Sequence, residues 1–144
     1  MLDRIVQLPD ANATQALGLE LGRSLIAGSV LLLTGDLGSG KTTLVQGLAQ
    51  GLNIRDAIVS PTFTIINEYL DGRLPLYHLD LYRLTAPEVD DLHLEGYWDG
   101  LEAEVGIMAI EWAERLSYLP PDYLRIELTY DPVDGRIAKL RDRE

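Results

Sequence analysis

One segment constrains this chain more than any other: Gly35-Asp-Leu-Gly-Ser-Gly-Lys41-Thr42-Thr43. It matches G-x-x-x-x-G-K-[ST] and stands between two regular patterns. Before it, Val30-Leu-Leu-Leu33 is apolar without alternation, which suits a strand covered on both faces, as in a parallel sheet. After it, Leu44, Val45, Leu48, Ala49 and Leu52 recur at helical spacing from Lys41. Glycines between strand and helix let the backbone turn tightly and bring its N–H groups together on an anion, and the helix start adds unpaired donors and a positive dipole end. In that setting Lys41 supplies a mobile charge for β and γ phosphates, and the Thr42 hydroxyl suits Mg2+. The segment reads as a phosphate cradle.

The rest of the chain supplies layers around that unit. Arg4–Leu8 reads as a short strand, and Asp10 or Asn12 can cap a helix whose Ala13, Leu17, Leu21 and Leu25 share a face, with Gly28 as a stop. Phe63–Leu70 and Leu74–Leu81 are expected to be strands joined at Asp71-Gly72. Pro87 opens a helix running through Leu92 and beyond. Ile107–Ile110 is a second buried-strand run, and Leu124–Tyr130 with Arg136–Leu140 forms a closing hairpin around Pro132–Gly135. This order predicts an α/β fold: a P-loop NTPase-like three-layer domain, 1–144, with a mixed, largely parallel central sheet and a closing antiparallel hairpin.

Composition narrows the partners. With 23 acidic against 12 basic residues the net charge is −11, so phosphate backbones would repel the chain and no strong direct nucleic-acid binding is expected. Only two of the bases are lysines, and one stands in the loop. There is no cysteine, hence no disulfide, thiolate metal site or thiol nucleophile. The longest apolar run, Val105–Ile110, is far short of the ~20 residues that span a bilayer, and the start lacks the layout of a signal peptide. A cytoplasmic protein without membrane contact is expected.

A cradle alone only holds a nucleotide; hydrolysis also needs acids for the metal and the attacking water. Glu111 ends the run Ile107-Met-Ala-Ile, at the strand end where open α/β sheets bind ligands. Asp80, in Tyr77-His-Leu-Asp-Leu-Tyr-Arg83, reads as a partly buried carboxylate in need of a partner, for which Arg83 is available. His78 reads as a packed, hydrogen-bonded side chain, and with His93 as the only other histidine it forms no zinc motif. Ser60-Pro-Thr-Phe-Thr64 carries three hydroxyls beside a proline, chemistry that γ-phosphate and Mg2+ can order.

Together, G-D-L-G-S-G-K-T-T, S-P-T-F-T, Y-H-L-D-L-Y-R-L and I-E-W-A-E-R-L resemble, in order and over nearly the whole chain, the TsaE (YjeE) family. These are small bacterial P-loop ATPases that help make N6-threonylcarbamoyladenosine in tRNA. The resemblance implies ATP/ADP and Mg2+ as cofactors and TsaD and TsaB as partners. Those partners transfer the threonylcarbamoyl group to the adenosine beside the anticodon, while the ATP cycle keeps the assembly turning over. It implies that Gly35, Leu37, Gly38, Ser39, Gly40, Lys41, Thr42 and Thr43 bind phosphates, with Thr42 on the metal. Glu111 would be the Walker B-like acid, Asp80 a second acid near metal or water, and Thr62 part of a switch segment. Trp112 would pack near the nucleotide, a partner or the core, and the segments at Ala11 and Arg136 would border the adenosine.

Between Leu84 and Glu114 lie nine acids and no lysine or arginine, among them Glu88, Glu95 and Glu102; this is either a solvated face or a docking surface for a basic patch. Rival readings are a small P-loop metabolite kinase, a GTP-dependent switch and a nucleotide-binding scaffold without turnover. No Arg-rich lid supports the first. The second expects N-K-x-D, and none of Asn12, Asn53 or Asn67 precedes a lysine.

Overall fold

A computed structural model describes residues 3–36, 38, 40–59, 61, 65–101, 103–133 and 135–142. The expected element order is present. Strand β1 (Asp3–Leu8) leads into helix α1 (Ala11–Ser24), then β2 (Val30–Gly35) and α2 (Lys41–Gly51). Next come β3 (Ile66–Tyr69), β4 (Leu76–Asp80), two short helices α3 (Ala86–Asp90) and α4 (Glu95–Trp98), and β5 (Ile107–Glu111). The hairpin β6 (Leu124–Asp131) and β7 (Gly135–Asp142) closes the chain. Among the described residues no helix is long and apolar enough to cross a membrane.

The strands form one sheet in the order β1-β7-β6-β2-β5-β4-β3. The four central strands β6, β2, β5 and β4 run parallel, and β1, β7 and β3 pair antiparallel at the margins. The sequence pattern has a direct cause in this order: β2 and β5 are buried along their length because each lies between two parallel neighbours with helices over the sheet. One face packs on α1 and α2 through Leu17, Leu21, Leu44, Leu48, Leu31 and Ile126. The other packs Leu32, Leu79, Met108 and Ile110 against Val89 and Leu94 of the acidic region.

Helices α1 and α2 touch backbone to backbone. A Cβ on Gly47 would stand 2.1 Å from the Gln15 carbonyl oxygen, and one on Gly18 would stand 2.2 Å from the Leu44 carbonyl oxygen. Gly22 and Gly51 repeat the contact one turn on. Side chains normally keep helix axes 8–10 Å apart; glycine removes that spacer and fixes α2, and so the start of the loop, against α1. The cost of glycine in a helix, about 1 kcal/mol against alanine, is outweighed by the contact it permits. At its C-terminal end α1 is capped by Arg73, whose Nη2 donates to the carbonyls of Gly22 at 2.7 Å and Leu25 at 3.0 Å. Asp10 caps the other end, accepting from the Ala13 N–H at 2.8 Å.

Three local expectations are corrected. Asp71-Gly72 does not make a two-residue turn: Tyr69 pairs with Leu76, so residues 70–75 form a wider loop. The loop is held elsewhere, with the Arg73 N–H donating to the Leu52 carbonyl at the end of α2. The helix opened by Pro87 stops at Asp90 instead of running past Leu92, and His93 turns the chain with φ 51. Its start is fixed by a capping box between Thr85 and Glu88. The first helix ends at Ser24, short of Leu25 and Gly28. The parts of the expected Phe63–Leu70 strand at Phe63 and Thr64 lie outside the described residues, as does Glu102 of the acidic stretch.

Gly47→Ala should force α1 and α2 apart and destabilise the fold by about 1–3 kcal/mol despite the better helix propensity of alanine. Urea denaturation checks this, with the exposed Gln50→Ala as a control expected to change little; an unshifted midpoint for Gly47→Ala would contradict the backbone contact.

Candidate functional site

The site forms where the C-terminal ends of β2, β4 and β5 meet the start of α2. Strand β2 ends at Gly35 and the chain re-enters a helix at Lys41, with Gly40 as N-cap at φ 104, a left-handed conformation that favours glycine. Among the described residues no side chain caps this helix start, so the first N–H groups of α2 face the loop. Leu37 and Ser39 lie outside the described residues, as do Thr62 and the Ser60 and Thr64 hydroxyls of the expected switch segment.

Lys41 is 5% exposed. Its Nζ donates to the Gly35 carbonyl and to that of Asp36 at 3.2 Å, and it lies 4.1 Å from the centre of the Trp112 ring. Burial pushes the ammonium below the ordinary lysine range; the negative charges of Glu111, Glu114, Asp80 and Asp36 oppose that shift. Among the described residues the loop thus holds its cation in place without a direct ion pair, free to exchange carbonyl dipoles for an anion.

Two carboxylates are set beside it by strand register. Leu33 of β2 pairs with Glu111 of β5, and Glu111 pairs with Asp80 of β4, so both acids stand on adjacent strand ends next to the loop. Glu111 is 3% exposed and accepts a hydrogen bond from Thr42 Oγ1, with distances of 3.2 Å to Oε2 and 3.4 Å to Oε1. From the sheet side, His78 Nε2 lies 2.5 Å from the same Oε2. Asp80 is half-buried and accepts from the Tyr82 N–H at 3.0 Å; among the described residues no ion pair joins it to Arg83, which is exposed. A turn formed by its own backbone satisfies the carboxylate instead.

Trp112 directly follows Glu111 in a left-handed conformation, φ 58 and ψ 44. Such a conformation costs a non-glycine residue on the order of 1–3 kcal/mol. It swings the indole over Lys41 and against Tyr82, ring centres 4.8 Å apart. Trp112 thus stands at the loop and, half-buried, also packs on the core around Leu32, Leu79 and Ile110, as core packing would have it. Thr43 lies on the first turn of α2, half-buried. Arg136, from the closing hairpin, packs along Gly40 and donates from Nη2 to the Gly38 carbonyl at 3.3 Å. Ala11 begins α1 on the exposed side; the α1 residue that reaches the loop is Thr14, fully buried, its methyl group facing Gly40. Only a hydroxyl interrupting an apolar face marks Thr14 in the sequence.

The donor set is hard oxygen: one hydroxyl and one buried carboxylate, with a second carboxylate on the next strand. Among the described residues no group of three or more His, Asp or Glu could hold a metal alone. A small set of this kind fits Mg2+, which keeps waters and shares its coordination with phosphates rather than filling a protein cage. The arrangement can therefore hold a phosphate chain and a divalent cation together.

Comparison with known proteins gives a consistent result. The family model described as threonylcarbamoyl adenosine biosynthesis protein TsaE matches residues 8–138. A Nostoc protein named tRNA threonylcarbamoyladenosine biosynthesis protein TsaE is 59% identical over 133 residues, 92% of this chain and 82% of that one. The Bacillus subtilis protein of the same name is 44% identical, covering 78% of this chain and 75% of its own. The crystal structure of Bacillus subtilis YdiB superposes with a TM-score of 0.79 at 34% identity, covering 96% of this chain and 84% of that one. A glycine-rich loop between strand and helix, a strand-end glutamate and a matching sheet thus coincide with a family match over most of the sequence, and the chain belongs to the TsaE family.

Proposed function

We propose that this protein is an Mg2+-dependent ATPase that serves tRNA threonylcarbamoyladenosine biosynthesis alongside TsaD and TsaB, without itself transferring the threonylcarbamoyl group. The observation that carries this reading is the meeting of Thr42 and the buried Glu111 carboxylate beside Lys41. A loop that merely turned the chain has no need of a buried acid, a hydroxyl and a lysine at one point. The pathway comes from the family to which the chain belongs, and the partners from the resemblance of its motifs.

In this reading the N–H groups of the loop and of the first turn of α2 bind the phosphates. Lys41 trades the Gly35 and Asp36 carbonyls for phosphate oxygens, a stronger charge-assisted pairing. Thr42 and Glu111 hold Mg2+ together with the nucleotide, and the ion supplies charge neutralisation on the transferring phosphoryl group. Asp80, on the neighbouring strand end, orients water. Arg136 and the start of α1 at Ala11 border the nucleotide on the other side of the loop, and Trp112 covers Lys41. Thr62 stands in the segment that responds to the γ-phosphate.

Lys41→Ala should weaken ATP binding by roughly ten- to a hundred-fold, the worth of one charge-assisted contact of ~1.5–3 kcal/mol. Glu111→Gln should keep metal-free nucleotide binding but lose roughly ten-fold or more of the affinity that Mg2+ adds, and lower kcat by roughly 10²-fold or more. Equilibrium binding and phosphate release measure the two separately, and unchanged turnover in Glu111→Gln would falsify the role given to that acid.

Turnover by the isolated protein should be slow and should rise on addition of TsaD and TsaB, because Arg115 is engaged by the Leu84 carbonyl and Arg83 is exposed. Phosphate release measured with and without the partners tests this; equal rates would remove the partner-dependent part of the reading.

A further inference from the structure

The nucleotide site does not by itself explain His78. This ring is 0% exposed, in the middle of β4, on the same sheet face as the fully buried Leu76 two residues earlier. That face packs on α1 and α2, and a leucine would suit such surroundings better: a buried polar ring costs free energy unless its nitrogens are paired. One nitrogen is paired, Nε2 at 2.5 Å from Glu111 Oε2. The other, Nδ1, is buried and has no partner among the described residues. The core therefore tolerates a half-satisfied imidazole at a point where its only polar contact among the described residues is the carboxylate that also receives Thr42.

Register explains how the contact arises. His78 stands opposite Ala109, the residue two before Glu111. Alanine leaves room on that face, and the ring reaches past it to the strand end. The Glu111 carboxylate is thus gripped from two sides: the imidazole from within the sheet and the Thr42 hydroxyl from the loop. A carboxylate accepts but does not donate when ionised, so Nε2 is the nitrogen that donates in this pair. Without the ring, the Thr42 hydroxyl alone among the described residues would hold the glutamate side chain.

We infer that His78 is a positioning residue for the metal–nucleotide site: it fixes the Glu111 carboxylate toward Thr42, so that one hydroxyl and one carboxylate oxygen are presented together before the nucleotide arrives. This rests on the nucleotide-site reading and goes beyond it, since His78 itself touches neither phosphate nor metal. Hydrogen-bonded supports of ligating carboxylates typically govern 10–100-fold of metal affinity or activity.

The test compares wild type, His78→Leu and His78→Gln in calorimetric titrations with ADP, once in Mg2+ and once in EDTA, and in steady-state hydrolysis of ATP. Leucine fills the space without the hydrogen bond; glutamine places an amide N–H within reach of Glu111. His78→Leu should bind ADP in EDTA within about two-fold of wild type, yet lose roughly ten-fold or more of the gain in affinity that Mg2+ confers, with kcat falling more than KM rises. His78→Gln should recover most of both. A His78→Leu protein with the full Mg2+ gain and wild-type kcat would overturn the inference, as would a folded His78→Gln that behaves no better than His78→Leu. Should the leucine variant not fold, 15N spectra of histidine-labelled wild-type protein decide: hydrogen on Nε2, with a resonance that moves when Mg2+ joins ADP, supports the inference, and an Nε2 without hydrogen, or a resonance that does not move, overturns it. Wild-type protein that binds no adenine nucleotide would end both readings, whereas Mg2+-dependent binding that is indifferent to His78 would end only this one.

Discussion

The pairing of β2 with β5 is the constraint from which the candidate site follows. Because the two strands run parallel and in the register that sets Leu33 beside Glu111, the glycine-rich loop leaving β2 and the acid ending β5 emerge at the same edge of the sheet. Nothing local in either segment requires this. The Thr42–Glu111 hydrogen bond, the place of Asp80 one strand further and the reach of His78 all depend on that register. A slip of one residue would turn Glu111 to the opposite face, away from α2. Apolar side chains buried on both faces of β2 and β5 hold the register, so the packing that stabilises the sheet also aligns the chemistry.

The second constraint acts on the other side of the loop. Helix α2 carries Lys41 and Thr42, and its position is set by glycines in close contact with α1 rather than by interlocking side chains. Backbone contact leaves little freedom for α2 to slide, which holds the start of the helix steady beneath the loop. Arg136 and Thr14 close the same corner: the hairpin and the first helix meet at Gly40, and Leu8 of β1 pairs directly with Arg136 of β7. The antiparallel margin of the sheet thus finishes the wall of a site whose floor is parallel.

Much of this was legible in the sequence, and the reasons are physical. Apolar runs without alternation at Val30–Leu33 and Ile107–Ile110 mark two strands covered on both faces, and the glycine-rich segment marks the turn between strand and helix. The strand-end position of Glu111 followed from the run preceding it. What stayed hidden were relations between distant residues. His78 lies 33 positions from Glu111, and only the sheet order brings the two together. Glycines in α1 and α2 carry no sign of the helix that will cover them; in isolation they count against a helix. Asp71-Gly72 resembled a tight turn because those residues favour one, but the Leu52 carbonyl draws the loop toward α2. The partner of Asp80 was sought in Arg83, while the backbone two residues on was nearer.

The central claim is that the loop from Gly35 to Thr43, with Glu111 facing it, grips the phosphates of an adenine nucleotide around a divalent cation. A crystal structure of the protein grown with ADP and Mg2+ tests it most directly. The account predicts phosphate density against the N–H groups at the start of α2, a cation touching the Thr42 hydroxyl, and Lys41 Nζ turned from the Gly35 carbonyl to the phosphate. Nucleotide bound elsewhere, or a Lys41 that keeps its carbonyl partners with the loop empty of phosphate, would contradict it.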